Sequence, residues 1–68
     1  MLKMSIDGDY IELIKLLKAA GICDTGGAAK IAVDEGAVKV DGAVESRKRC
    51  KIRRGQVVEI DGNVIEVE

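Results

Sequence analysis

Positively charged side chains are concentrated in one eight-residue segment, residues 47–54, which we call the basic run. Six of its residues are Lys or Arg, whereas the rest of the chain holds five basic and twelve acidic side chains. The formal net charge of −1 therefore conceals a strongly polarised molecule. Such a stripe predicts docking onto a polyanion, with RNA or DNA as the leading candidates. A solvated loop without a partner is the alternative, but it gives no reason to keep repelling charges together.

The side chains that usually carry catalysis or hold metal ions are scarce. The chain has no His, and its two cysteines, Cys23 and Cys50, lack CxxC spacing. Without His, no ordinary nucleophile–base pair can be assembled, and the carboxylates show no spacing typical of an acid–base pair. A zinc site would need more ligands at suitable spacings. We therefore predict a protein that is not an enzyme and uses no cofactor or metal.

Length and composition predict one small domain over residues 1–68. A chain of this size buries only about 60% of its unfolded surface, so its core must be small. Residues 1–20 lack the ordered regions of a secretory signal, and no apolar stretch reaches the roughly 20 residues that span a bilayer. We expect a cytoplasmic monomer with reduced thiols. Tyr10 is the only aromatic residue, so the stacking platforms of RRM sheets and most OB folds lack their key parts.

The first of two helices that must position the basic run is predicted over residues 10–20. Apolar side chains recur there on a wide helical stripe. Asp9 is the predicted N-cap, and Glu12 three residues later would complete an acidic version of the capping box. Gly21 is placed to end this helix in a left-handed turn.

A second helix is predicted to begin after Thr25, which can cap it, and to extend to about Glu35, with Gly36 just beyond its end. Gly26 and Gly27 lie in its first turn. Each glycine lowers helix propensity by roughly 1 kcal/mol relative to Ala, so the pair requires an explanation.

The hydrophobic period then changes from helical to two. Asp41-Gly42 and Asp61-Gly62 are strong signals for two-residue hairpin turns between short strands. Residues 1–7 alternate weakly and predict a short first strand. Ile52, the single aliphatic residue of the basic run, is expected to anchor the run to the core. These elements predict an α+β fold in which two packed helices are followed by a small antiparallel β-sheet.

Residues 25–42 resemble the RNA-binding domain of ribosomal protein S4, also called the αL motif. The positions that fall in step with the family's pattern are Thr25, Ala29, Ala32, Val33, Gly36, Val38, Val40 and Gly42. Residues 52–60 resemble the family's closing segment, so the likeness covers nearly the whole chain. It is closest in length to the small stand-alone bacterial members, the YbcJ-like group. The resemblance implies the αL fold and RNA binding.

Three positions depart from the family's pattern. Asp41 replaces an Asn, Gln56 replaces an Asp, and Gly26 stands where many members place an Arg that meets RNA phosphate. A phosphate could instead approach the unpaired first-turn amides of the second helix, at the positive end of its dipole, because Gly26 and Gly27 present no side chain. The alternative is that the two glycines permit tight packing between the helices, and the sequence favours neither.

These observations predict a non-catalytic protein that binds structured RNA, with ribosomal RNA a candidate, and that is associated with the ribosome. Phosphate contacts should supply affinity, since little in the chain could read bases. The predicted RNA-binding residues are Thr25, Gly26, Gly27, Lys30, Lys39, Arg47, Lys48, Arg49, Lys51, Arg53 and Arg54. The alternative is an adaptor that docks onto an acidic protein or a ribosome-assembly factor.

Overall fold

The computed structural model describes residues 2–68 and has the α+β architecture that the sequence predicts. A five-stranded sheet and a separate two-stranded ribbon accompany two helices. In chain order the elements are β1 (Leu2–Met4), β2 (Ile11–Glu12), α1 (Leu13–Ala19), α2 (Gly26–Asp34), β3 (Val38–Val40), β4 (Ala43–Val44), β5 (Lys51–Ile52), β6 (Val57–Ile60) and β7 (Asn63–Val67).

The hydrophobic core lies between the helices and the inner face of the larger sheet. Its members are almost entirely removed from water. They are Leu13, Leu16, Leu17, Cys23, Ala29, Val33, Val38, Ile52, Val58, Ile60, Ile65 and Val67. Ile52 is fully buried although its neighbours along the chain are exposed cations, so its predicted anchoring role is confirmed. Within residues 2–68, neither Cys23 nor Cys50 forms a disulfide.

The larger sheet has the strand order β1-β7-β6-β3-β4 and is mixed, because β1 runs parallel to β7. Leu2 lies opposite Ile65 and Met4 lies opposite Val67. The strands of this sheet that follow the helices pair antiparallel, as the sequence predicts, and β1 adds a parallel strand that it does not. Alternation in the first residues indicates a strand, but it does not reveal a partner at the far end of the chain. Met1, which the predicted first strand includes, lies outside the described residues.

Helix α1 begins at Leu13, three residues later than predicted, and the predicted capping box does not form. The Glu12 side chain makes no capping hydrogen bond, and residues 11–12 form strand β2 instead. The backbone amide of Leu13 donates to the carbonyl oxygen of Cys50 at 2.8 Å. Pairing with a distant segment therefore replaces the local capping that the sequence favours. The end of α1 is as predicted, since Gly21 adopts a φ of 77°.

Helix α2 has both ends that the sequence predicts. The Thr25 hydroxyl oxygen accepts a hydrogen bond from the Ala28 amide at 3.1 Å. At the other end, Gly36 adopts a φ of 74° and its amide donates to the Val33 carbonyl oxygen at 3.1 Å. This left-handed residue satisfies a terminal carbonyl group and turns the chain into β3.

The two predicted hairpin turns are present, with φ of 51° and 86° at Asp41-Gly42 and of 47° and 80° at Asp61-Gly62. Positive φ at both central residues matches the right-handed twist of the flanking strands. The Asp41 carboxylate also accepts hydrogen bonds from the Val57 amide at 2.9 Å and from Gln56 Nε2 at 3.1 Å. The αL pattern has Asn at position 41 and Asp at position 56, whereas this chain has Asp41 and Gln56. The amide and the carboxylate have thus changed places between two side chains that are hydrogen-bonded to each other.

The burial of Ile52 predicts a large cost for shortening it. Ile52→Ala should lower the free energy of unfolding by about 2–5 kcal/mol, because it removes buried methyl groups and leaves a cavity. The matched control is Ile31→Ala, since Ile31 is 58% exposed on α2; this change should shift stability by less than about 0.5 kcal/mol. Urea unfolding followed by circular dichroism measures both. Equal costs for the two variants would contradict the anchoring role.

Candidate nucleic-acid interface

The basic run reaches the core through a two-stranded ribbon formed by β2 and β5. Ile11 lies opposite Ile52 and Glu12 lies opposite Lys51 in antiparallel register. Ile11 and Ile52 face the core, whereas Lys51 is exposed. The sequence around residues 49–53 alternates charged and apolar side chains, which suits a strand with one face buried. The pairing therefore turns Lys51, the cation of β5, outward.

The only aromatic ring of the chain, that of Tyr10, lies beside the outer face of the ribbon, one residue before β2. Lys51 Nζ lies over the Tyr10 ring, 4.9 Å from its centroid, and the guanidinium carbon of Arg53 lies 6.0 Å away. Both distances fall within the range in which a cation is attracted to the face of an aromatic ring. Tyr10 is 41% exposed, so this contact lies at the surface.

Three other cations of the basic run form ion pairs within the molecule. The Arg47 side chain donates two hydrogen bonds to the Glu45 carboxylate, one from Nε and one from Nη2, each with a donor–acceptor distance of 3.0 Å. Arg49 Nε lies 2.8 Å from Glu12, and Lys48 Nζ lies 3.1 Å from an oxygen of Asp34 at the end of α2. All three cations keep large exposed surfaces.

Glu45 is the most strongly perturbed acid in the described part of the chain. Its side chain is only 15% exposed, and hydrogen bonds from the Arg47 side chain and amide lower its pKa from 4.5 to about 2. The Cys50 thiol donates a further hydrogen bond to Glu45 at 3.4 Å, while burial raises the pKa of that thiol. Glu45 therefore stays ionised and fixes the orientation of Arg47.

Arg54 serves a different purpose from the other cations. Its guanidinium donates hydrogen bonds to the backbone carbonyl oxygens of Gly8 at 2.6 Å and Ile6 at 2.7 Å. These bonds connect the segment between β1 and β2 to the end of the basic run. Within residues 2–68, the Lys51 and Arg53 side chains have neither an ion pair nor a hydrogen bond. They are consequently the two cations of the basic run that are readiest to meet an external anion.

Two recesses border the basic run. One, of about 470 Å³, is lined by Arg47, Arg49, Cys50, Lys51 and Arg53. The other, of about 290 Å³, lies against the two helices and is lined by Glu12, Ile14, Lys15, Lys30, Lys48 and Arg49. Arg49 borders both recesses, so they form one continuous surface, which we call the basic surface. It includes Lys30, which the sequence predicts as an RNA-binding residue.

The remaining predicted site residues lie in different places. Gly26 and Gly27 occupy the first turn of α2, and the Thr25 hydroxyl is engaged as its cap. A Cβ atom added to Gly26 would lie 4.0 Å from Ile14 Cγ2, an ordinary van der Waals distance. Lys39 projects from β3 into a separate recess that also contains Glu59 and Asp61. The structure does not bring Lys39 together with the basic run.

Sequence reasoning missed Tyr10 and Glu12, which contact Lys51 and Arg49. It also missed Lys15, which lines the basic surface, and Glu45, which holds Arg47. Predicting a helix from residue 10 hid the first two, because a helix would not align Tyr10 and Glu12 with Lys51 and Arg53. The signal that could have revealed the ribbon is the alternation of residues 49–53. Among residues 2–68, no group of three or more His, Cys, Asp or Glu side chains could hold a metal ion, and neither helix is long and apolar enough to cross a membrane.

This fold and its cationic surface define a known class of protein. A family model of the S4 domain matches residues 4–68, so the chain belongs to the S4 domain family. The αL resemblance noted in the sequence is thereby confirmed.

Individual relatives place the chain more narrowly within that family. YbcJ of Escherichia coli (strain K12) is 55% identical to it over 58 residues, which cover 85% of this chain and 83% of YbcJ. RlbA of Bacillus subtilis (strain 168), named a probable ribosome maturation protein, is 39% identical over 59 residues, covering 87% of this chain and 83% of RlbA.

A solved structure shares the fold. It is the solution structure of E. coli YbcJ, which is described as revealing an αL motif involved in RNA-binding. It matches with a TM-score of 0.77 at 50% identity, over 98% of this chain and 86% of that chain. The mixed sheet and the two helices are therefore those of an αL motif.

The Glu45–Arg47 pair predicts a measurable acid titration. The Glu45 carboxyl should titrate near pH 2 in the folded protein, below its ordinary value of 4.5. Because the folded-state pKa is lowered, the pair stabilises the fold above about pH 4.5, and this contribution is lost as the pH falls toward 2. Carboxyl-carbon NMR measures the midpoint.

The matched variants are Arg47→Lys, which keeps the charge but loses the two-pronged geometry, and Arg47→Gln, which loses the charge as well. The Glu45 midpoint should rise in both variants, and further in Arg47→Gln. A wild-type midpoint at the ordinary value would contradict the role assigned to this pair.

Proposed function

We propose that residues 1–68 act as a single RNA-binding domain that recognises structured RNA and catalyses no reaction. The observation that carries this proposal is the basic surface: five cations of the basic run and Lys30 border two adjoining recesses beside the helices. Membership of the S4 domain family and the αL motif of YbcJ, described as involved in RNA-binding, support the same function. The RNA occupies the recesses, with phosphates on the cations.

The ion pairs of the basic run prepare its arginines for this task. A guanidinium group has five N–H donors in a rigid plane. Arg47 uses two nitrogens on Glu45 and remains 76% exposed, and Arg49 uses Nε on Glu12 and remains 86% exposed. The two carboxylates therefore fix the orientation of the guanidinium groups, while the remaining N–H donors of each guanidinium stay available to phosphate oxygens. Less side-chain entropy is then lost when RNA binds.

The residues proposed to contact RNA differ in role. Lys51 and Arg53 offer charges that pair with no carboxylate among residues 2–68. Arg47, Lys48, Arg49 and Lys30 extend the positive surface toward α2. Gly26 and Gly27, after the Thr25 cap, let a phosphate approach the amides of α2. Lys39 and Arg54 are secondary contacts, because Lys39 lies in a separate recess and Arg54 already holds two carbonyl groups.

The biological setting proposed for this binding is the ribosome in the cytoplasm. RlbA, a relative of nearly the same length, is named a probable ribosome maturation protein. Ribosomal RNA is accordingly the RNA to test first, and a ribosome-assembly factor is a candidate second partner. We propose that the protein binds as a monomer.

Binding through the basic surface predicts a strong dependence on salt. If about four to six phosphates are contacted, log affinity should fall against log salt concentration with a slope of magnitude about 3–5. Fluorescence anisotropy with a structured ribosomal RNA fragment measures this slope. A flat response would contradict the proposal. An adaptor protein, in contrast, would keep its partner through nuclease treatment during size exclusion.

Paired charge variants locate the binding surface. Lys51→Ala/Arg53→Ala should weaken binding and reduce the slope by about 1.5, because two phosphate contacts are lost. Lys3→Ala/Lys18→Ala removes the same charge outside the basic surface and should leave the slope nearly unchanged. Equal effects from the two pairs would show that net charge, not this surface, determines binding.

The two roles considered for Gly26 and Gly27 predict opposite results. An alanine at either position meets no atom closer than ordinary contact, so Gly26→Ala and Gly27→Ala should stabilise the fold by up to about 1 kcal/mol through helix propensity. If phosphate approaches these amides, both variants should nevertheless bind RNA less tightly. Thermal unfolding and anisotropy measure the two effects. Loss of stability with unchanged RNA affinity would instead support the packing role.

A further inference from the structure

Tyr10 presents an aromatic ring that the fold does not use for its core. The ring is 41% exposed, and it lies outside the cluster of side chains that pack in or against the core. The next residue, Ile11, belongs to that cluster and pairs with Ile52. Aromatic rings usually supply a large buried apolar area. Here the single aromatic ring of the chain, on the residue just before β2, lies at the surface instead.

The surroundings of the ring match the chemistry of one nucleotide. Lys51 and Arg53, the cations of the basic run without an ion pair or hydrogen bond among residues 2–68, approach the ring to 4.9 and 6.0 Å. Both also line the recess of about 470 Å³. A nucleotide joins an anionic phosphate to a flat heterocycle, and these groups are complementary to adjacent cations and an exposed ring.

We propose that the Tyr10 ring stacks on an unpaired base of the bound RNA while Lys51 and Arg53 hold the flanking phosphates. An incoming phosphate draws the Lys51 ammonium group away from the ring, and the base takes its place. One aromatic residue supports one base, and stacking accepts any base because each has a flat face. This inference rests on the proposed function and sharpens it to the class of RNA recognised.

Bases inside a continuous duplex are already stacked on their neighbours and cannot reach the ring. RNA-binding proteins make such contacts with loops, bulges and ends, whose bases can be splayed out. The RNA recognised by this surface is therefore a paired segment that carries an unpaired nucleotide. The paired segment meets the remaining cations, and the unpaired nucleotide enters the recess beside Tyr10.

The test uses two RNAs, a continuous duplex and the same duplex with a single bulged 2-aminopurine. The full chain is compared with Tyr10→Phe, which keeps a ring, and Tyr10→Leu, which keeps only apolar bulk. The wild type and Tyr10→Phe should bind the bulged RNA about 5- to 100-fold more tightly than the duplex, and Tyr10→Leu should lose this preference. The 2-aminopurine fluorescence should be quenched by the first two proteins only.

The duplex distinguishes this inference from the function on which it rests. Salt-dependent binding of wild type to both RNAs with equal affinity and no quenching would overturn the stacking role and leave RNA binding intact. Equal weakening of both RNAs by Tyr10→Leu would also overturn it, since the ring would then act only by positioning Lys51 and Arg53. Absence of binding to either RNA would overturn the proposed function and the inference together.

Discussion

The pairing of β2 with β5 is the contact on which the rest of the molecule depends. Ile52 carries the basic run into the core and pairs with Ile11, while the Leu13 amide, bound to the Cys50 carbonyl oxygen, fixes where α1 begins. Fold and surface are thus joined in one ribbon. Its inner residues are among those that hold the core together, and its outer residues hold the charges, so loss of this pairing would affect stability and the surface together.

The second constraint is electrostatic, because six like charges in eight residues repel one another. The structure reduces this cost by giving most of the cations an individual partner. Carboxylates hold Arg47, Lys48 and Arg49, and backbone carbonyl oxygens hold Arg54. The Arg47 and Arg49 side chains are 76% and 86% exposed, whereas their partners Glu45 and Glu12 are 15% and 22% exposed, so the solvent-facing side keeps its positive character. Such an arrangement orients the cations in advance of binding.

Local features of the sequence predicted well what depends on local chemistry. The Thr25 cap, the left-handed Gly36 and the Asp41-Gly42 turn each follow from a few neighbouring residues, and the structure has all three. The helix predicted for residues 10–12 is wrong, because residues 11–12 pair with the distant strand β5 and the predicted capping box does not form. The ion-pair partners of the cations could not be predicted from the sequence either, since a pair such as Arg49 with Glu12 joins residues far apart in the chain. The positions of the cations, by contrast, follow from the alternation around Ile52.

The most direct test of RNA binding at the surface built on the β2–β5 ribbon is NMR of the isotope-labelled chain during titration with a bulged RNA duplex. We expect the largest chemical-shift changes at Tyr10, Lys51, Arg53 and the first turn of α2. Changes on the outer face of the sheet, where the secondary contact Lys39 pairs with Glu59, should be small. Changes centred on that outer face, with the ribbon unaffected, would contradict binding at the ribbon.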